Sequence, residues 1–156
     1  MLLPQHLEEH MTTFDELNNV THGRFISELK PAFSLHKVIT APMIGAFGGK
    51  DIEGANLALG MSFLPKPFMM IPEAHKHDFD QFLFFISGDP NNFVEFDAEI
   101  ELTLDGEVNT ITYASWIYVP KGLMHCPLNV KRVGKPIIFI DARLTKEASV
   151  GPGFQG

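Results

Sequence analysis

Residues 94–113 read Val94-Glu95-Phe96-Asp97-Ala98-Glu99-Ile100-Glu101-Leu102-Thr103-Leu104-Asp105-Gly106-Glu107-Val108-Asn109-Thr110-Ile111-Thr112-Tyr113. Phe96, Ala98, Ile100, Leu102 and Leu104 fall on one side of an extended chain. Glu95, Asp97, Glu99, Glu101 and Thr103 fall on the other. Strict alternation of this kind marks an antiparallel strand with one face in the core and one in water. Asp105-Gly106 joins two such runs, and both residue types accept the positive φ that a tight hairpin turn demands. Outward from this hairpin, short apolar runs recur at 56–64, 67–71, 81–87, 115–119, 125–129 and 135–143, separated by Pro, Gly, Asn and Asp. Many short strands without intervening helices predict an all-β sandwich or barrel.

The first fifty residues read differently. Leu7, Met11, Phe14 and Leu17 share one helix face, and Thr13-Phe14-Asp15-Glu16 has the form of a capping box. The expectation is a helical or arm-like extension over 1–50, with a strand near 35–40 followed by a loop. A β-barrel over 51–147 and a flexible tail over 148–156 complete the expected organisation. A chain of 156 residues is about one domain. At that size it buries enough surface to fold without disulfides.

Twelve Lys and Arg against nineteen Asp and Glu leave a net charge of −7. That balance argues against nucleic acid and anionic membrane as partners, since both call for a basic surface. The apolar runs are too short to span a bilayer, and no basic segment followed by an apolar one opens the chain as a secretory signal would. Cys126 is the single cysteine, which excludes an internal disulfide and a thiolate zinc cluster. The expectation is a cytoplasmic protein. The apolar N-terminal segment, hard for one barrel to cover, predicts a homodimer.

The chemistry concentrates in two places. His75-Lys76-His77 puts two imidazoles on the same side of an extended segment, within reach of one ion. Gln81 follows four residues later and Gly88 seven beyond that. Downstream, Pro120-Lys121-Gly122-Leu123-Met124-His125 offers a third imidazole after a turn. His22 and His36 read as ordinary loop or strand residues.

At these residues the sequence resembles the cupin superfamily, whose first motif is G-x5-H-x-H-x3,4-E-x6-G and whose second is G-x5-P-x-G-x2-H-x3-N. His75, His77 and Gly88 match the first, with Gln81 in place of the usual Glu and Met69 in place of the leading Gly. Pro120, Gly122, His125 and Asn129 match the second, with Ala114 in place of the leading Gly. The resemblance covers roughly 56–143. It implies a jelly-roll barrel, or double-stranded β-helix, with one divalent transition metal (Zn, Fe, Ni or Mn) held by His75, His77, Gln81 and His125.

Three neutral imidazoles and a neutral amide leave a divalent ion's charge uncompensated, which favours a substrate carrying its own negative charge. Gln81 either binds the ion directly or stands behind it as a hydrogen-bond donor. The favoured function is a metal-dependent isomerase, lyase or hydrolase acting on a small carbonyl or carboxylate compound. An iron-dependent dioxygenase and a non-catalytic small-molecule sensor are the alternatives. Arg143 and Asp141 are candidate catalytic residues, with mutual pairing at a surface strand end as the competing reading. If Gln81 points inward, Leu83 and Phe85 follow it. If His125 does, Pro127 and Asn129 share its side and Cys126 points away. Trp116 and Tyr118 either line the mouth or pack on the barrel.

Overall fold

The computed structural model describes residues 22–146 and the backbone of Phe154–Gln155. The expected N-terminal helix lies outside the described residues. Among the described residues eleven strands form: β1 (Lys30–Ser34), β2 (Met43–Phe47), β3 (Ala58–Leu64), β4 (Phe68–Ile71), β5 (Gln81–Ser87), β6 (Ala98–Leu104), β7 (Glu107–Ile111), β8 (Ser115–Val119), β9 (His125–Val133), β10 (Ile137–Arg143) and β11 (Phe154–Gln155). They build a seven-stranded sheet in the order β11-β1-β2-β3-β10-β5-β8 and a four-stranded sheet in the order β4-β9-β6-β7. Every pairing is antiparallel.

The opening hairpin forms as read. β6 and β7 pair Leu104 with Glu107, and the turn residues Asp105 and Gly106 both take positive φ, +47° and +84°. Ala98, Ile100 and Leu102 are fully buried, where they meet Phe85, Leu64, Leu128 and Val130 in one core between the sheets. The strands at 81–87 and 115–119 fall where the alternation places them.

Two regions depart from expectation. No strand forms at 35–40, which is a turn; strands form on either side of it, at 30–34 and at 43–47. β2 is a strand despite Gly45 because β3 supplies its partner from Ile44↔Met61 to Phe47↔Ala58. Tertiary pairing here overrides local propensity. The second departure is in β9, where the pairing with β6 slips between Leu102 and Leu104. Cys126 takes φ +74° at that point, a value rare outside glycine. The slip puts His125 and Cys126 both inside, and Leu128 and Val130 follow in the core while Pro127 and Asn129 are only half-buried. This bulge corrects the expectation for Cys126, Pro127 and Asn129, since one extra residue reverses the alternation beyond it.

Candidate metal centre

His75 and His125 stand fifty residues apart in sequence but face each other as an antiparallel bridge. Each N–H donates to the other's carbonyl at 2.9 Å. Gly122 N–H donates to the His77 carbonyl at 2.8 Å, tying the His75–His77 segment to the turn before His125. That turn needs glycine because Gly122 takes φ +83°. The result is three imidazoles whose ligand nitrogens lie within 4.8 Å of one another.

Backbone carbonyls set the tautomers. Nδ1 of His75 lies 3.1 Å from the Glu73 carbonyl and Nδ1 of His125 3.0 Å from the Leu123 carbonyl. A carbonyl only accepts, so each Nδ1 carries the proton and each Nε2 keeps a free lone pair. His77 is instead held flat against Phe79, ring centroids 4.6 Å apart at 10°. Burial, then the neighbouring His125 and His75, lowers the His77 pKa to about 4. Burial also lowers that of His125. Both are neutral at pH 7, the form that binds metal.

Gln81, Asp141 and Arg143 form the opposite wall. Arg143 sits directly across from Gln81 in the β10–β5 ladder, and Asp141 is two residues earlier on the same face. All three side chains are buried. Arg143 Nη2 pairs with Asp141 Oδ2, and Arg143 Nε lies 3.1 Å from the same oxygen. Gln81 Nε2 donates to Asp141 Oδ1 at 2.8 Å. The pair is therefore inside the barrel, and the reading of a surface strand end is corrected. It follows from Gln81 facing inward, since Arg143 shares its register position.

The amide orientation has a consequence. With Nε2 committed to Asp141, Gln81 Oε1 is buried and accepts no hydrogen bond from the protein. A buried acceptor left so is costly, and a cation or a donor in the cavity would satisfy it. The donor set, three neutral imidazole nitrogens and one amide oxygen, fits a first-row divalent ion.

In sequence, neither a family model nor a curated protein matches the chain. In structure, an oxalate oxidase, 8% identical, superposes with TM-score 0.55 over 85% of this chain and 65% of its own. Peruvianin-I from Thevetia peruviana latex, described as a cysteine peptidase, is 14% identical with TM-score 0.56, over 85% and 78%. An RmlC-like cupin from Shewanella frigidimarina is 13% identical with TM-score 0.46, over 79% and 86%. The chain has the cupin fold. At these identities the likeness carries the fold alone.

The barrel cavity is also lined by Met43 and Met70, which sequence reasoning passed over, by His36, read as an ordinary loop or strand residue, and by Cys126, expected to point away. His36 comes from the turn after β1, and burial lowers its pKa. No sequence pattern pointed to it, because its place depends on β1 joining the sheet. Burial pushes the Cys126 thiol up to about 12, so it is a packing group and not a nucleophile. The cavity leaves about 50 Å³ for water centres, room for a few waters or one small molecule. Trp116 and Tyr118 are not at its mouth; they stand on the outer face of the seven-stranded sheet, stacked with Phe82. No helix among the described residues is long and apolar enough to cross a membrane.

Proposed function

We propose that this cupin binds one divalent transition ion (Zn, Fe, Ni or Mn) through His75, His77 and His125, with Gln81 Oε1 as a neutral fourth donor. The ion would act as a Lewis acid on a small carbonyl or carboxylate compound in an isomerase, lyase or hydrolase reaction. The observation that carries this reading is the three-imidazole cluster within 4.8 Å, with two of its rings turned by carbonyls so that Nε2 is free. Asp141 and Arg143 cancel each other's charge, so the ion's own charge would draw an anionic substrate. The narrow cavity restricts that substrate to a few heavy atoms. Leu83, Phe139 and Ile39 supply its apolar wall. A single cysteine further supports a reducing, cytoplasmic setting, and we infer a homodimer.

A non-catalytic binding barrel is the second reading, and one observation favours it. Asp141, the only carboxylate lining the cavity among the described residues, is held by Arg143 and Gln81 and so is poorly placed to carry a proton. Elemental analysis of untagged protein distinguishes the outcomes. About one first-row ion per chain is expected, with most of it lost in His125→Ala. A folded His125→Ala protein that keeps its metal unchanged would refute the assignment. Turnover of small carboxylates without oxygen uptake supports the enzyme reading, oxygen uptake selects a dioxygenase, and tight binding without turnover selects the sensor.

A further inference from the structure

The cavity does not end at the histidines. A groove of about 410 Å³ adjoins it, and His36, Met70, Ile71 and His75 line both. Burial falls along this path. Met70 is buried, Ile71, His36 and His75 are half-buried, and Leu35, Pro72 and Ala74, which line only the groove, are exposed. The four shared residues are thus a throat, and the groove continues the barrel's interior outward.

Two segments make the throat, and hydrogen bonds fix both. On one side, Ile39 N–H donates to the His36 carbonyl at 2.9 Å, and Ser34 Oγ accepts from His36 N–H at 3.0 Å. The His36 ring rests on Phe68 with centroids 5.3 Å apart and is not a member of the three-imidazole cluster. On the other side, residues 72–75 include the Glu73 carbonyl that orients His75. One segment therefore supplies both a histidine of the cluster and a wall of the groove.

The groove's chemistry is one-sided. Leu35, Met70, Ile71, Pro72 and Ala74 give it apolar walls. Among the described residues Glu73 is its one carboxylate, and no Lys or Arg lines it. Burial lowers the His36 pKa, which leaves that ring uncharged at pH 7. An anionic group has no partner there, whereas an apolar chain leaves water for an apolar wall.

We propose that the groove holds the apolar chain of the substrate, an acyl or keto compound whose polar end sits among the histidines and whose alkyl chain runs out past His36 and Met70. The limit of a few heavy atoms applies to the part inside the barrel. The inference rests on the metal reading above and adds the substrate's second half. Dicarboxylates are disfavoured, since the second carboxylate meets Glu73 and no cation.

Calorimetric titration of the zinc-loaded full chain with alkyl hydroxamates tests this, because the hydroxamate head binds zinc whatever its tail. Acetohydroxamate and hexanohydroxamate differ by four methylenes. Each buried methylene is worth about fourfold in affinity, and a groove open on one side covers about half of each, so hexanohydroxamate should bind about 15-fold tighter. Adipic monohydroxamate, its counterpart ending in a carboxylate, should gain nothing over acetohydroxamate in wild type and bind more tightly to Glu73→Lys. Leu35→Asp should remove most of the hexanohydroxamate gain and leave acetohydroxamate unchanged. Leu35 is 54% exposed, so this variant keeps its fold, and an unchanged zinc content shows that its site is intact. Equal affinity of wild type for the two alkyl hydroxamates, or a gain that Leu35→Asp leaves whole, would overturn the groove while the metal site stands. Failure to take up zinc, or to bind acetohydroxamate at all, would overturn the metal reading and this inference with it.

Discussion

Gln81 is where the chain departs from the cupin motif, and its neighbours supply a physical reason. Asp141 Oδ1 needs a donor, and the Gln81 amide provides one at 2.8 Å. A glutamate there would set two carboxylates side by side against one guanidinium. Gln81→Glu should therefore lower the melting temperature of metal-free protein, while a bound cation would draw the two carboxylates into a favourable field. The rise in melting temperature on adding metal should be larger in Gln81→Glu than in wild type; an equal rise would place position 81 away from the ion. The histidines make a separate forecast. An unfolded chain takes up protons on His77 near the ordinary value of 6.5, whereas the folded chain holds it neutral down to about 4. Between those values the unfolded state binds more protons, so stability present above pH 6.5 is lost as pH falls toward 4. Chelator-treated protein should melt lower at pH 4.5 than at pH 7.5, and His77→Phe should shrink that difference.

At the scale of elements, legibility followed how far each strand's environment is written in its own residues. β5 and β8 alternate in burial from end to end and were placed from sequence to the residue. β1 and β2 were not legible, because Pro31 and Gly45 read as breakers while the strands exist through pairing, β1 with β2 and β2 with β3. β9 was half legible: Pro120, Gly122 and His125 locate its start, but the slip at Cys126 reverses everything after it. The same limit applies to the site. The three histidines could be found by spacing, whereas the contact of Gln81 with Asp141 depends on the β5–β10 register, which no single segment contains. That register also positions the core pair Phe85 and Phe139, in direct opposition with ring centroids 5.1 Å apart. Phe85→Ala should cost about 3–5 kcal/mol of stability, measured by urea unfolding.

For the molecule as a whole, the two faces of the seven-stranded sheet divide the work. The inner face carries the histidine-facing wall of Gln81, Asp141 and Arg143, and the outer face carries Ile140, Phe84 and Trp116 side by side in register. β10 belongs to both, since Asp141 and Arg143 point inward from the strand whose Ile138 and Ile140 point outward. A substitution on β10 can therefore disturb the cavity and the outer face together. Substitutions on β8 separate them, because Trp116 and Tyr118 touch only the outside.

The reciprocal bridge between His75 and His125 bears on how long the folded chain lasts. Closing a segment of fifty residues is slow and entropically late, so the three imidazoles should come together only after the rate-limiting barrier to folding. A cation held there then adds nothing to the speed of folding and acts on the reverse rate alone. In stopped-flow chevrons, metal should leave the refolding limb in place and lower the unfolding limb, lengthening the lifetime of the native chain without hastening its birth.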